Sequence, residues 1–188
     1  YQPANPDLKP EYMLNYELSY TQYLLNNRIM LGAAIFYIDG KNMIQTVRVD
    51  GRPRNENTGK FHNKGFEIEA AYNVLSNLQA SVSWSYLHTD SENLYSPKNK
   101  LNAEVTYSPG DFSFTLEEMS VWGMKYGNPD GSSMTYSLLN LRAAYTYGRQ
   151  IPVTLFVKVD NMTDRHYEII YGCPMPGTTL MGGVEFKF

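Results

Sequence analysis

Asp164, His166 and Glu168 stand two residues apart, so an extended backbone would turn three metal-ligating groups to one face. Cys173 and Met175 close by offer a thiol and a thioether, donors that suit soft metals. Period-two spacing recurs by chance along any strand, and Met175 sits in a proline-glycine turn. No metal and no cofactor is therefore expected. Arg52 and Arg54 carry guanidinium forks that could grip an anionic chelate, although solvated loop charge explains them better. Trp122, Tyr126, Tyr136, Tyr167 and Tyr171 could stack on a ligand ring. An interfacial aromatic girdle is the competing explanation. His62 and His88 have no partner visible in sequence, and no nucleophile stands beside a base, so no enzyme is expected.

The elements that must carry these groups read as strands. Leu14, Tyr16, Leu18 and Tyr20 alternate with Asn15, Glu17, Ser19 and Thr21. A second strand runs from about Arg28 to about Val49, with Asp39-Gly40 as a bend or bulge. Period two returns at 66–74, 78–86, 100–107, 139–147, 153–160 and 178–188, and a further strand begins at Phe112. No segment reads as a helix. The connections sort by length. Those near residues 26, 76, 109 and 149 are short, and 50–59, 91–98, 123–133 and 162–176 are long and rich in Gly, Asn, Pro, Asp and Ser. Such sorting belongs to outer-membrane barrels, which have short periplasmic turns and long outer loops.

The chain has 188 residues, a formal net charge of −3 and 16 Tyr, which suits aromatic girdles and gives no nucleic-acid footprint. One cysteine excludes an internal disulfide, and no apolar run is long enough for a membrane helix. The last strand puts Leu180, Gly182, Val184, Phe186 and Phe188 on one side. A terminal Phe188 suits a barrel strand that ends at the lipid interface. The polar side of the strands then faces a lumen: Glu17, Glu67, Glu69, Lys100, Glu104, Arg142, Lys158, Asp160, Glu185 and Lys187. These charges could hold a plug and line a substrate route, or simply form a polar wall. Nine strands is an odd number, whereas single-chain bacterial barrels have even ones. The expected fold is an all-β, antiparallel transmembrane barrel, of which this chain supplies about nine C-terminal strands.

Four stretches, in order, resemble a single protein family. Asn5-Pro6-Asp7-Leu8-Lys9-Pro10-Glu11 with Tyr16-Glu17-Leu18 resembles the family's entry to a late strand. Asn57-Thr58-Gly59 and Lys64-Gly65-Phe66-Glu67 resemble its Asn-x-Gly loop and the strand start that follows. Val159-Asp160-Asn161-Met162-Thr163-Asp164-Arg165-His166-Tyr167 resembles its Asn-Leu-Phe-Asp-Lys-x-Tyr run, with Met162-Thr163 replacing Leu-Phe. Gly172-Cys173-Pro174-Met175-Pro176-Gly177 resembles the final loop, with Thr178 where Arg is common. That family is the TonB-dependent outer-membrane receptors, and the resemblance implies a barrel of about 22 strands. Residues 1–188 would be its C-terminal segment, with the plug domain and TonB box absent. It implies import of a scarce nutrient across the outer membrane of a Gram-negative bacterium, iron-siderophore first and cobalamin second. Implied partners are lipid, the missing barrel and plug, the TonB complex, the barrel-assembly machinery at the last strand, and a small ligand. Two other readings stay open: a stand-alone outer-membrane barrel with a structural or adhesive role, and a soluble β module that binds a ligand.

Overall fold

The computed structural model describes residues 4–90, 95–148 and 151–186. Lys187 and Phe188 lie outside the described residues. In chain order the strands are β1 (Tyr12–Leu24), β2 (Ile29–Lys41), β3 (Ile44–Val49), β4 (Arg52–Asn57), β5 (Lys60–Leu75), β6 (Leu78–Thr89), β7 (Asn99–Tyr107), β8 (Phe112–Lys125), β9 (Ser133–Tyr147), β10 (Val153–Asp160), β11 (Glu168–Ile170), β12 (Cys173–Pro174) and β13 (Thr179–Phe186). Nine of them form one sheet in the order β1-β2-β5-β6-β7-β8-β9-β10-β13. Every neighbouring pair in it is antiparallel. The sheet is open, with β1 and β13 at its edges, and does not close into a barrel.

Register sorts the residues onto two faces. Glu67 stands opposite Ala34 and Ser85, and Ser85 opposite Lys100. Glu69 stands opposite Gly32 and Ser83, and Ser83 opposite Asn102. Glu104 faces Ser81 and Glu117, and Arg142 faces Lys158. These polar rungs line a trough along one side of the sheet. The other side carries Tyr16 opposite Tyr37, Ile68 opposite Trp84, and Leu155 opposite Val184. Leu18 is 70% exposed and Leu180 75%. So broad an apolar surface is costly in water and suits lipid.

Two glycines on the polar face have a steric reason. A side chain at Gly40 or Gly183 would overlap the Phe61 or Phe156 ring lying across it. Small opposite large lets each aromatic lie flat against the wall.

Three expectations about the elements need correction. β2 ends at Lys41, and its pairing with β1 passes through Asp39 and Gly40 without a bulge. The stretch to Val49 belongs instead to the β3–β4 hairpin. Its turn is Asp50-Gly51, both at positive φ (50° and 77°), a strong hairpin signal that a loop assignment over 50–59 passes over. Finally, β8 runs to Lys125 and β9 starts at Ser133, with a register shift between Val121 and Met124.

Candidate ligand-binding site on the lumen wall

Asn161, at the end of β10, organises the long connection to β13. Its φ of 51° is left-handed, a conformation Asn tolerates better than most residues. Its side-chain N–H group donates to the carbonyls of Arg165 (3.0 Å) and Pro176 (3.3 Å), and its Oδ1 accepts from the Arg165 N–H (2.8 Å). Its backbone N–H donates to Asn140 Oδ1 at 2.9 Å, and its carbonyl accepts from the Thr178 hydroxyl at 2.8 Å. Asp164 Oδ1 accepts the Thr178 N–H at 3.0 Å. Asn161 is 4% exposed, so these bonds replace water that cannot reach it.

Held this way, the connection folds over the polar-face side of β8 and β9. Val121, Met124, Tyr126, Tyr136 and Leu138 are buried beneath it, with Tyr167 and Ile169 packed against them. Tyr136 and Tyr167 meet at 4.4 Å between ring centroids, and Tyr126 and Tyr171 at 5.9 Å. The Tyr171 N–H also donates to the Tyr126 carbonyl at 2.8 Å. Burial, and then the Asp160 carboxylate, push the Tyr167 phenol above its usual range. Beside these rings lies an open cavity of about 560 Å³ lined by Tyr126, Met134, His166, Glu168, Tyr171 and Met175, among others. It combines ring faces, two thioethers, an imidazole and a carboxylate.

Four of the five aromatics singled out in sequence therefore come together: Tyr126, Tyr136, Tyr167 and Tyr171. Trp122 lies apart on the apolar face, where it stands opposite Asn99 and lines a groove with Trp84 and Leu101. Arg52 and Arg54 sit on β4, away from the tyrosines. Arg54 Nε lies 3.0 Å from Glu56 Oε1, an ion pair without hydrogen-bond alignment. Arg52 is exposed.

Glu17, Glu67, Glu69, Lys100, Glu104, Arg142, Lys158, Asp160 and Glu185 all fall on the polar face by register. Arg142 reaches across β10 to Glu185 at 2.9 Å and lies over the Phe156 ring at 4.8 Å. Lys158 pairs with Asp160 at 3.0 Å.

Asp164, His166 and Glu168 do not converge. Asp164 serves Thr178, and Glu168 Oε2 accepts the Gly172 N–H at 3.0 Å. No cluster of three His, Cys, Asp or Glu able to hold a metal occurs among the described residues. Cys173 is exposed.

His62, partnerless in sequence, is clamped between two carboxylates. Nδ1 lies 2.6 Å from Asp90 and Nε2 3.4 Å from Asp39. The β2–β5 register places Asp39 opposite His62, so pairing supplies what sequence separation hides. The apolar patch under the tyrosines was also missed. Met119, Val121 and Leu138 occupy positions that the polar pattern reserves for hydrophilic residues.

An antiparallel sheet with one lipid-suited face, one charged face and sorted loops defines a segment of an outer-membrane barrel wall. The chain belongs to the TonB-dependent receptors: the family described as TonB dependent receptor-like, beta-barrel matches residues 1–162. That family comprises receptors of the outer membrane and not enzymes.

Solved structures agree in fold. The copper transporter OprC is 19% identical, with 100% of this chain covering 34% of that one at a TM-score of 0.80. The ferric-catecholate import receptor Fiu from E. coli K12 is 20% identical, covering 97% of this chain and 29% of that one, TM-score 0.71. A mutant ferric enterobactin receptor, PfeA, from Pseudomonas aeruginosa is 17% identical, covering 97% and 32%, TM-score 0.76. The chain spans about a third of the length of these structures.

Proposed function

We propose that this chain forms the C-terminal part of the barrel wall of an outer-membrane importer for a scarce, metal-bearing nutrient. In this reading the remaining strands and a plug complete the lumen, and transport is driven through the TonB complex. The barrel-assembly machinery engages the last strand. The observation that carries the reading is the open tyrosine–thioether cavity on the polar side of the sheet. Tyr126 and Tyr171 offer ring faces to an aromatic chelator. Arg52 stands free on an outer hairpin to meet its negative charge. Family membership and the ferric receptors among the structural neighbours make an iron-siderophore complex the first substrate, with cobalamin second.

Uptake of radiolabelled ferric siderophores by cells carrying the intact receptor tests this. Deletion should abolish uptake of at least one chelate. Tyr171→Ala should raise the half-saturating concentration several-fold while leaving barrel assembly intact. Normal ferric uptake in the deletion strain, with failed growth on cobalamin, would reassign the substrate. Loss of neither would refute import by this protein.

A further inference from the structure

The lipid-suited face changes character at its upper rim, on β2 and β5. Their register sets the outward residues in rungs. Ile35 stands opposite Phe66, Tyr37 opposite Lys64, Asp39 opposite His62, and Lys41 opposite Lys60. Below the lysines the face is apolar, and Tyr16, Leu18, Ile35 and Ile68 are all exposed. Phe66 stacks on Tyr86 at 5.5 Å and meets Trp84 edge-on at 5.0 Å, forming an aromatic belt. β2 and β5 are joined by the long connection 42–59, so this rim lies on the outer side of the membrane.

The protein does not neutralise the charge it places here. Lys41, Lys60 and Lys64 are exposed. Among the described residues, none of the three ammonium groups has an ion pair. Like charges directly opposite on paired strands repel, yet Lys41 and Lys60 share a rung. The nearest acidic rung does not relieve them. Asp90 lies 2.6 Å from His62 Nδ1 and Asp39 3.4 Å from His62 Nε2, so one imidazole occupies both carboxylates. Tyr37 stacks on that imidazole at 6.0 Å and holds it between the lysine rungs. Lys98 Nζ, 5.9 Å from the Tyr86 ring centroid, adds a fourth cation at the belt. The charge also stands at two heights. Lys64 is level with Tyr37, and the Lys41–Lys60 rung is four residues higher, about 13 Å along the strand.

We propose that this rim binds the headgroup of an outer-leaflet lipid that carries phosphate as a monoester. The phosphate lies among Lys41, Lys60 and Lys64, and the acyl chains lie on the belt below. The apolar residues beneath the rim need acyl chains over them, and the head of the same molecule then falls at the lysines. A zwitterionic headgroup brings its own cation and leaves the excess charge unanswered. A phosphomonoester carries up to two negative charges and accepts from several ammonium groups at once. The lysine stems lie along the belt while their heads reach the phosphate. The inference rests on the barrel lying in the outer membrane, not on what it imports.

Native mass spectrometry of the intact, delipidated receptor tests it, with diphosphoryl lipid A, its dephosphorylated form and phosphatidylcholine as probes. Wild type should retain the phosphorylated probe at least five-fold better than the other two, and higher ionic strength should weaken that retention alone. The triple variant Lys41→Gln, Lys60→Gln, Lys64→Gln should lose the preference, and Arg at all three positions should keep it. Lys60→Glu, a single exposed change that offers Lys41 an ion pair, should lose it too and covers the case in which the triple variant fails to assemble. Equal retention of the three probes by wild type, or a preference that survives Lys60→Glu or the triple Gln variant, would overturn the proposal. So would displacement of the lipid by inorganic phosphate but not by chloride at equal ionic strength, which would make this a site for free anions. Uptake should stay near wild type in these variants, so failure here and failure of the import reading are separable.

Discussion

Replacing Asn161 by Ala should open the tyrosine roof without unfolding the sheet. The side chain makes three hydrogen bonds, at 2.8, 3.0 and 3.3 Å, to the backbone of Arg165 and Pro176. Each is worth about 1 kcal/mol net. Ala at a φ of 51° costs about 1 kcal/mol more. The sum is about 4 kcal/mol, or roughly a thousandfold in the opening constant of the connection. Hydrogen exchange on the intact receptor in micelles reads this directly. The Arg165 amide loses its acceptor in the variant, and the Met175 amide, which donates to Tyr167 O at 3.0 Å, reports the roof. Both should exchange faster by up to that factor, while β5 and β6 amides stay protected. Asn161→Asp keeps the acceptor for Arg165 and tolerates the backbone, but loses two donor bonds. It should fall between, at about 2 kcal/mol. A change below about threefold in Asn161→Ala would refute the reasoning, as would equal acceleration across all strands.

Gly40→Ala should lower the temperature at which the folded barrel loses its heat-modifiable gel mobility, because the new methyl overlaps the Phe61 ring. Phe61→Ala in the same chain should recover part of the loss, and additivity of the two would show that the contact is not responsible. The His62 clamp should loosen in acid. The His62 backbone N–H, then its imidazole, hold the Asp90 carboxylate below its ordinary range of about 3.8. A depressed carboxylate stabilises above that value, and the contribution is lost as pH falls through the folded value. Exchange of the His62 amide, bonded to Asp90 Oδ1 at 2.6 Å, should therefore rise relative to its neighbours only below about pH 4, and Asp90→Asn should abolish that extra rise.

The strands and their two faces were legible wherever period two ran unbroken, as in β1, β5, β6, β7 and β10. There each residue obeys the environment its face meets, so composition reports geometry. Two kinds of feature were not legible. Short hairpins such as β3–β4 bury no face, so no hydrophobic period marks them, and only the Asp50-Gly51 turn betrays the pairing. Sites assembled across strands are invisible until register is known. His62 with Asp39 and Asp90 is one case, and the four tyrosines gathered by Asn161 are another. The Asn161 run could be aligned by resemblance, but its motif does not say which rings it will cover.

β8 is the strand on which alternation fails, and the failure has a direction. Over 117–121 the sequence is Glu-Glu-Met-Ser-Val. Met119 and Val121 point to the polar side, Glu118 and Ser120 to lipid. Slipping the strand by one residue would reverse this and satisfy the ordinary pattern there. The lower half forbids it. The same slip would turn Phe114 and Leu116 into the lumen and Thr115 and Glu117 into lipid. It would also break the Thr106–Thr115 hydroxyl contact at 3.1 Å. The strand realigns only at the shift between Val121 and Met124, where Gly123 supplies a φ of 67°. A bulge placed a few residues earlier would have corrected the pattern at little cost. Its position after Val121 instead delivers Met119 and Val121 to the underside of the tyrosine roof, and Glu118 and Ser120 to Ser137 and the membrane. The inversion therefore gives the roof an apolar underside, and Trp122→Ala, which acts on the opposite face, should leave exchange of the Arg165 amide unchanged.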